Sequence, residues 1–200
     1  ARLRGKTFGV VGLGRIGIAA ALRAKAFGMR VLAYDPLVSR GTEISAGVDR
    51  CDRIEDLLAQ SDVVSLHCPL TPESHKMINA ERLAMMQPHA ILINTARGAI
   101  IDIDALLDAL RNGTIAGAGI DVLPVEPPAP EDAIALAYAN GKDPIVGERL
   151  FLTPHAAWSS PESVADARRL SVETAMQYLR AGTLRNLVNA PAQKRFSGAA

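Results

Sequence analysis

Short apolar runs alternate with helix-forming stretches along most of this chain. The runs that predict strands are Phe8 to Val11, Met29 to Tyr34, Asp62 to His67, His89 to Asn94, Ile115 to Val122 and Leu150 to Thr153. The stretches that predict helices are Arg15 to Phe27, Ile54 to Gln60, a short one from Ala80, Asp102 to Arg111 and Pro161 to Ala181. This alternation is typical of a parallel sheet with helices on both faces, so we expect an α/β, doubly wound fold.

Polar and proline-rich stretches predict the connections. Residues 36–47 are expected to form a polar loop, and the four prolines between Pro124 and Pro130 predict an extended one. The stretch from Glu131 to Arg149 is less regular, with one helix expected at Ala133 to Ala139. Three residues predict helix ends: Asn79 and Ser160 as N-caps and Gly182 as a C-cap.

The turn after the first predicted strand carries the spacing G-L-G-R-I-G. Gly12 permits a tight turn, Gly14 has no Cβ and lets a pyrophosphate approach the backbone, and Gly17 lets the helix pack close to the strand. The helix N-terminus, at Arg15 and Ile16, offers backbone N–H groups to the phosphates. Such a spacing alone can arise by chance. Here strand, helix, second strand and a following acid occur in order, which predicts a Rossmann dinucleotide site.

The acid at the tip of the second predicted strand is Asp35. Its carboxylate can accept hydrogen bonds from a ribose diol and would repel a 2′-phosphate, so NAD(H) is favoured over NADP(H). Arg40 lies close enough in sequence to weaken that preference.

Composition excludes several classes of partner. The formal net charge of the 200 residues is +1, which gives no electrostatic reason to expect nucleic acid or an anionic membrane. Two cysteines, Cys51 and Cys68, form neither a disulfide framework nor a metal-binding pattern, and suit a reducing compartment. No membrane span or signal peptide is expected, so we predict a cytoplasmic protein. The chain opens without Met and enters the first predicted strand almost at once, so we expect it to be one domain of a longer protein. Residues 1–189 would form the dinucleotide-binding Rossmann domain, and residues 190–200 a tail that returns toward a missing substrate domain.

Three further motifs follow predicted strands. They are N-T-A-R-G from Asn94, D-V-L-P-V-E-P from Asp121 and T-P-H-A-A-W from Thr153. Ligands bind at the carboxyl ends of the strands in open parallel sheets, so these motifs bring Arg97, Glu126 and His155 toward one crevice.

The four motifs together resemble the D-isomer-specific 2-hydroxyacid dehydrogenases, and the resemblance runs from about Leu3 to Asn189. Within that family the stretches A-L-R-A-K-A-F-G, S-L-H-C-P-L-T and T-P-H-A-A-W are similar to the branch related to the C-terminal binding proteins. A Glu at position 126 argues against formate dehydrogenases, where the resemblance would require Gln. The loop between Glu126 and His155 is longer than in many relatives, with an inserted segment near Gly141.

Each candidate catalytic residue also has a plainer interpretation. Arg97 carries a planar fork of donors suited to a carboxylate, although it could be a surface or capping arginine. His155 can deliver a proton near neutral pH, although it could be a satisfied core histidine, the interpretation adopted for His67, His75 and His89. Glu126 could simply belong to a loop.

The resemblance implies roles for these residues. Arg97 would hold the substrate carboxylate, Glu126 would keep His155 charged for reduction, and Asp121 would bind the nicotinamide carboxamide. Trp158 would lie against the substrate, with core packing as the alternative. The other cofactor contacts that it implies are Cys68, Pro69, Thr71, Thr95, Ala96 and His155.

The implied activity is hydride transfer between NAD(H) and a 2-keto or D-2-hydroxy acid, in a homodimer. Two alternatives remain: an NAD(H)-sensing corepressor of the C-terminal binding protein type, and a cofactor domain without activity of its own.

Overall fold

The computed structural model describes residues 2–139 and 143–185. The chain divides into two compact units, Ala1–Ala157 and Trp158–Ala200. The first unit contains the sheet, and the second contains one long helix. The boundary predicted at residue 189, the tail 190–200 and the insertion near Gly141 lie outside the described residues.

All strands of the sheet lie in the first unit. They are β1 Thr7–Val11, β2 Arg30–Tyr34, β3 Asp49–Arg50, β4 Val63–Leu66, β5 Ile91–Asn94, β6 Gly117–Ile120 and β7 Leu150–Leu152. The helices of this unit are α1 Arg15–Ala26, α2 Thr42–Ala46, α3 Ile54–Gln60, α4 Ala80–Ala84, α5 Ile103–Arg111, α6 Ala133–Ala139 and α7 Pro144–Arg149, with a 3-10 turn at Gly98–Ile100.

The sheet is wholly parallel within the described residues, in the order β3-β2-β1-β4-β5-β6-β7. The chain winds outward in one direction through β2 and β3, and then in the other direction from β4 onward. Val11, the last residue of β1, pairs with Tyr34 on one side and Leu66 on the other. The crevice where the winding reverses therefore opens at the ends of β1 and β4, and the predicted doubly wound fold is confirmed.

Two apolar clusters cover the two faces of the sheet. Adjacent residues of β1 belong to different clusters, because side chains along a strand alternate between faces: Val10 packs in the smaller cluster and Val11 in the larger. The smaller includes Ala21 of α1, and the larger includes Leu57 of α3 and Leu106 of α5. Helices thus bury both sides of the sheet, which is why the strands read as nearly continuous apolar runs.

Most predicted elements are present with shifted ends, and three were wrong or missed. The stretch 36–47, predicted as a loop, contains α2, which buries only Ala46 and is too short to show a helical period. β3 has two residues and depends on pairing with β2. α7 carried a signal that we did not use, because the Asp143 side chain caps it and Pro144 occupies its first turn.

The second unit contains α8, Pro161–Ala181, at the predicted bounds. The Ser160 hydroxyl accepts a hydrogen bond from the Ser163 N–H, and the Ser163 hydroxyl accepts one from the Ser160 N–H, forming a capping box. Gly182 ends the helix with φ 62°. The predicted caps are confirmed. None of the described helices combines the length and apolar character needed to cross a bilayer.

Asp62 connects three strands, β1, β4 and β5, at the end of the sheet where these strands begin. Its carboxylate accepts hydrogen bonds from Lys6 Nζ at 2.8 Å and the Thr7 N–H at 2.7 Å, and lies 2.7 Å from His89 Nε2. Burial raises the pKa of Asp62, but the bonds from Lys6, Thr7 and His89 outweigh it and lower the pKa to about 2. A depressed carboxyl pKa stabilises the fold above the unfolded value of 3.8 and stops doing so as pH falls through about 2.

Replacing this carboxylate tests that account. We expect Asp62→Asn to lower the free energy of unfolding by about 1–2 kcal/mol at pH 7, allowing for partial solvent screening. The difference from the unaltered chain should shrink below pH 3.8 and vanish near pH 2 in denaturant titrations. Asp49→Asn, in an exposed pair with Arg30, is the control and should change little. A pH-independent loss would contradict an electrostatic origin.

Candidate active site

The glycine turn that leaves β1 is built by close backbone packing. Gly12 has φ +97°, and a Cβ added there would lie 2.6 Å from the Cys68 nitrogen at the end of β4. A Cβ added at Gly17 would lie 1.9 Å from the Gly12 carbonyl oxygen and 3.2 Å from Val10 Cγ1. The tight turn and the close contact between helix and strand are therefore present, as predicted.

Gly14, in contrast to the closely packed Gly12 and Gly17, lies beside open space. A Cβ at Gly14 would meet nothing within 4 Å, so open space faces this residue. Gly14 is also the N-cap of α1 and has no side chain to bond the first N–H groups of the helix, at Arg15 and Ile16. Free N–H groups and the positive end of the helix dipole favour an anion at this end of α1.

Asp35 stands at the end of β2 beside this turn. One carboxylate oxygen accepts a hydrogen bond from the Leu13 N–H at 2.7 Å, and the other accepts one from the Leu37 N–H at 2.8 Å. The carboxylate is therefore held in place by the glycine turn on one side and by its own loop on the other.

A cavity of about 480 Å³ opens in front of Asp35. It is lined by the predicted cofactor residues Gly12, Asp35, Cys68, Pro69 and Thr71. The charged residues Glu73 and Arg82 also line it, together with apolar residues that sequence reasoning missed: Val11, Leu37, Ile54 and Met77. Their spacing resembles ordinary core positions, so nothing in the sequence marked them. Burial raises the pKa of the Cys68 thiol, in agreement with its interpretation as a small apolar residue.

A second cavity, also of about 480 Å³, shares Cys68 and Pro69 with the first. The predicted residues Ile16, Thr95, Ala96 and Arg97 line it, together with His67 and Leu70. The two cavities therefore run side by side along the carboxyl ends of β1, β4 and β5. Because they share Cys68 and Pro69, the two cavities form one continuous lining for an extended ligand.

Arg97 follows β5 in a loop shaped by a residue that we did not predict. The fully buried Asn94 side chain accepts a hydrogen bond from the Ala96 N–H and donates one to the Arg97 carbonyl. A Cβ at Gly98 would lie 2.0 Å from the Leu123 carbonyl carbon, so this loop packs directly on the loop that leads to Glu126. Arg97 itself is exposed at the cavity.

Glu126 and His155 meet as predicted. The distance from Glu126 Oε2 to His155 Nδ1 is 2.6 Å, and Glu126 Oε1 accepts a hydrogen bond from the Leu123 N–H at 2.7 Å. The bond with His155 and that from Leu123 hold the pKa of Glu126 below its usual value. The carboxylate is therefore ionised at neutral pH and fixes the orientation of the imidazole ring.

Asp121 organises the loop that carries His155. Its carboxylate accepts hydrogen bonds from Thr153 Oγ1 at 2.5 Å and from the N–H groups of Ala156 at 2.8 Å and Ala157 at 3.0 Å. Burial raises the pKa of Asp121, but these bonds prevail and lower it. Three donors use most of its acceptor capacity, so binding of nicotinamide by Asp121 stays a prediction.

The other histidines do not all fit the core interpretation. That interpretation was wrong for His75, which is exposed, and for His89, whose side chain is 57% exposed and pairs with Asp62. His67 is half-buried beside Ser65 Oγ, 2.9 Å away, and burial lowers its pKa. Trp158 begins the second unit, and its contact with substrate stays a prediction.

Comparison with known proteins identifies the class. The family model of the D-isomer specific 2-hydroxyacid dehydrogenase NAD binding domain matches residues 1–157. The chain therefore belongs to the D-isomer-specific 2-hydroxyacid dehydrogenase family and contains its NAD-binding domain. NAD is accordingly the cofactor of this fold.

Individual relatives agree with this assignment. The chain is 43% identical over 185 residues to a glyoxylate reductase of Korarchaeum cryptofilum, covering 92% of this chain and 52% of the reductase. It is 40% identical over 189 residues to a D-3-phosphoglycerate dehydrogenase of Methanocaldococcus jannaschii, covering 94% of this chain and 34% of that protein. The chain thus spans about half the length of the first relative and a third of the second.

A solved relative shows the same fold. The D-isomer specific 2-hydroxyacid dehydrogenase from Lactobacillus delbrueckii ssp. bulgaricus, in its NAD complexed form, matches with a TM-score of 0.80 at 30% identity. The match covers 94% of this chain and 58% of that one. The residues present here fit such a cofactor, since the space at Gly14, the uncapped start of α1 and the Asp35 cavity lie together.

Substitutions at two glycines distinguish a glycine that leaves room for a ligand from one that the fold requires. Gly14 has φ −80°, which any residue can adopt, so Gly14→Val should lower the melting temperature by only a few degrees, through the poorer N-cap. It should weaken NADH binding at least about tenfold, because the side chain fills the phosphate space. Gly17→Ala should lower the melting temperature, because its Cβ collides with the Gly12 carbonyl. Unaltered NADH affinity in Gly14→Val, measured by calorimetry, would place the diphosphate elsewhere.

Proposed function

We propose that the protein containing this chain is an NAD(H)-dependent oxidoreductase that interconverts a 2-keto acid and a D-2-hydroxy acid. The observation that carries the proposal is the 2.6 Å contact between His155 Nδ1 and Glu126 Oε2, beside the loop of Arg97. A proton donor, an ionised partner and a guanidinium are the groups that reduction of a carbonyl next to a carboxylate requires.

Each residue has a defined task in this proposal. Arg97 binds the substrate carboxylate through its fork of N–H donors, which also orients the neighbouring carbonyl. Glu126 occupies Nδ1 of His155, so Nε2 is the atom that passes a proton to the substrate oxygen. When bound, NAD(H) supplies the hydride. In the reverse direction His155 accepts the proton from the hydroxyl group.

The predicted cofactor contacts support binding in an extended form. The N–H groups of Arg15 and Ile16 would receive the diphosphate at Gly14, and Asp35 would accept hydrogen bonds from the adenosine ribose. Thr95 and Ala96 would line the second half of the site, and Asp121 remains our candidate for the nicotinamide carboxamide.

The preference for NAD(H) over NADP(H) gains support from Arg40. Its guanidinium lies 2.8 Å from Asp52 Oδ1 in an exposed pair. Arg82, the arginine that lines the cavity, is paired with Glu55 at 3.0 Å. Arg40 therefore weakens the preference for NAD(H) less than its place in the sequence suggested.

The remaining assignments rest on the family resemblance and on composition. We place the enzyme in the cytoplasm, because both described cysteines are free thiols, and we expect a two-fold dimer. The corepressor alternative rests on the stretches shared with the C-terminal binding protein branch. NADH-dependent dimerisation without turnover would favour that alternative.

Removal of the proton donor tests the reaction. His155→Ala in the full gene product should lower kcat with glyoxylate, hydroxypyruvate or pyruvate by at least about a hundredfold, because proton transfer contributes that much. NADH affinity should stay within about twofold, since the adenosine and diphosphate contacts are intact. His75→Ala, at an exposed position, is the matched control. Equal turnover by His155→Ala and the unaltered enzyme would refute the role.

The ribose assignment has a separate test. Asp35→Asn keeps an acceptor oxygen but removes the charge that repels a 2′-phosphate, so NADPH affinity should rise by at least about tenfold relative to NADH. Affinities are measured by titration of nicotinamide fluorescence. If the ratio of the two affinities does not move, Asp35 does not face the 2′ position.

A further inference from the structure

The loop that carries Asp35 along the first cavity packs little against the core. Residues 35–41 lie between β2 and α2 and form neither helix nor strand. Pro36 and Leu37 line the cavity, yet the Leu37 side chain is 77% exposed. Val38, half-buried against the smaller apolar cluster, anchors the middle of the loop, whereas Pro36 and Leu37 are exposed. Packing alone therefore leaves the part of the loop next to Asp35 unsupported.

Hydrogen bonds from one side chain, that of Arg50, hold the backbone of this loop. Arg50, on β3, donates from Nη2 to the Asp35 carbonyl at 3.0 Å and from Nη1 to the Val38 carbonyl at 3.4 Å. Within the described residues, it is the only side chain outside the loop and α2 that hydrogen-bonds to the loop backbone. Its own side chain is 18% exposed.

Glu43 connects the far end of the loop to the same guanidinium. Glu43 Oε2 lies 3.5 Å from Arg50 Nη1, and both its carboxylate oxygens accept from the Gly41 N–H at 3.0 Å. The Glu43 side chain is 13% exposed. Arg50 therefore contacts the loop at its beginning through Asp35 and at its middle through Val38. Glu43 links the same guanidinium to the end of the loop at Gly41.

Stability alone does not account for a guanidinium at this position. Arg50 Nε is buried and has no hydrogen-bond partner among the described residues, and the nearest carboxylate oxygen, on Asp52, is 3.8 Å away. Burying a charged group with an unsatisfied donor costs free energy that an apolar side chain of similar length would avoid. What an apolar side chain could not provide is the pair of bonds to the Asp35 and Val38 carbonyls.

We infer that Arg50 is a positioning residue that fixes the Asp35 loop and thereby sets how strictly this chain selects NADH over NADPH. The inference rests on the proposed ribose contact of Asp35. With the loop fixed, the Asp35 carboxylate is held against the 2′ position and repels a phosphate there. Without the Arg50 bonds, the Asp35 carboxylate keeps the bond from the Leu13 N–H, but the bond from the Leu37 N–H lies in the released loop. The carboxylate can then turn about the remaining bond, so the penalty against NADPH decreases.

The variants separate loop positioning from simple loss of stability. Arg50→Met alone would leave Glu43 buried without its cation, so the main variant is the double substitution Arg50→Met with Glu43→Gln. Arg50→Lys keeps the charge but lacks the fork that reaches two carbonyls. Arg30→Met is the control, because Arg30 lies on the adjacent strand β2 and pairs with Asp49 at the surface, away from the loop. Melting temperature, NADH affinity and NADPH affinity are measured for each on the 200-residue chain.

We expect the ratio of NADH to NADPH affinity to fall by about tenfold in the double variant, less in Arg50→Lys, and not at all in Arg30→Met. An unchanged ratio in a double variant that still binds NADH would overturn the inference, even if its melting temperature fell. If the double variant does not bind NADH, Arg50→Lys becomes the deciding variant. A ratio of NADH to NADPH affinity in Arg50→Lys equal to that of the unaltered chain would then overturn the inference. Turnover is not used, so a failed dehydrogenase assay would refute the proposed reaction without touching this result.

Discussion

The contact between Gly17 and the Gly12 carbonyl is the constraint on which the site depends. No side chain larger than hydrogen fits at Gly17, because a Cβ would come within 1.9 Å of that oxygen. Helix α1 can therefore begin directly above the end of β1, where the winding of the sheet reverses. Its uncapped N–H groups then face the space at Gly14 instead of a neighbouring side chain. Without this approach, the anion-binding end of the helix and the Asp35 cavity would not share one crevice.

A second level of organisation uses buried polar side chains to shape the loops that carry the chemistry. Asn94 sets the backbone around Arg97, and Asp121 gathers Thr153 and two N–H groups around His155. Both side chains are buried and make two or more hydrogen bonds to the loop that they shape, so each loop is fixed by a residue that does not itself need to touch substrate. The left-handed backbone at His155, with φ 51°, is kept by the same bonds.

The sequence predicted those parts of the molecule whose cause is local. A tight turn needs glycine at fixed spacing, and a buried parallel strand needs an apolar run, so the glycine turn and the principal strands could be located. β3 could not, because two residues show no period and their strand character comes from pairing with Leu32 and Ala33.

The residues of the candidate site also fall into those that the local sequence predicted and those that it did not. Arg97, Glu126 and His155 were found because each has a distinctive residue type after a strand. Asn94, Gly98 and Arg50 were not, because their importance lies in loops that meet only in three dimensions. Asp121 is intermediate: its position was predicted, but the three bonds that it accepts from residues 153–157 could not be foreseen from spacing.

The most direct measurement is a crystal structure of the full gene product with NADH and oxamate, an unreactive analogue of a 2-keto acid. We expect the diphosphate at the N–H groups of Arg15 and Ile16, the oxamate carboxylate on Arg97, and the adjacent carbonyl oxygen within hydrogen-bond distance of His155 Nε2. Oxamate bound away from Arg97 and His155, with NADH in place, would contradict this arrangement.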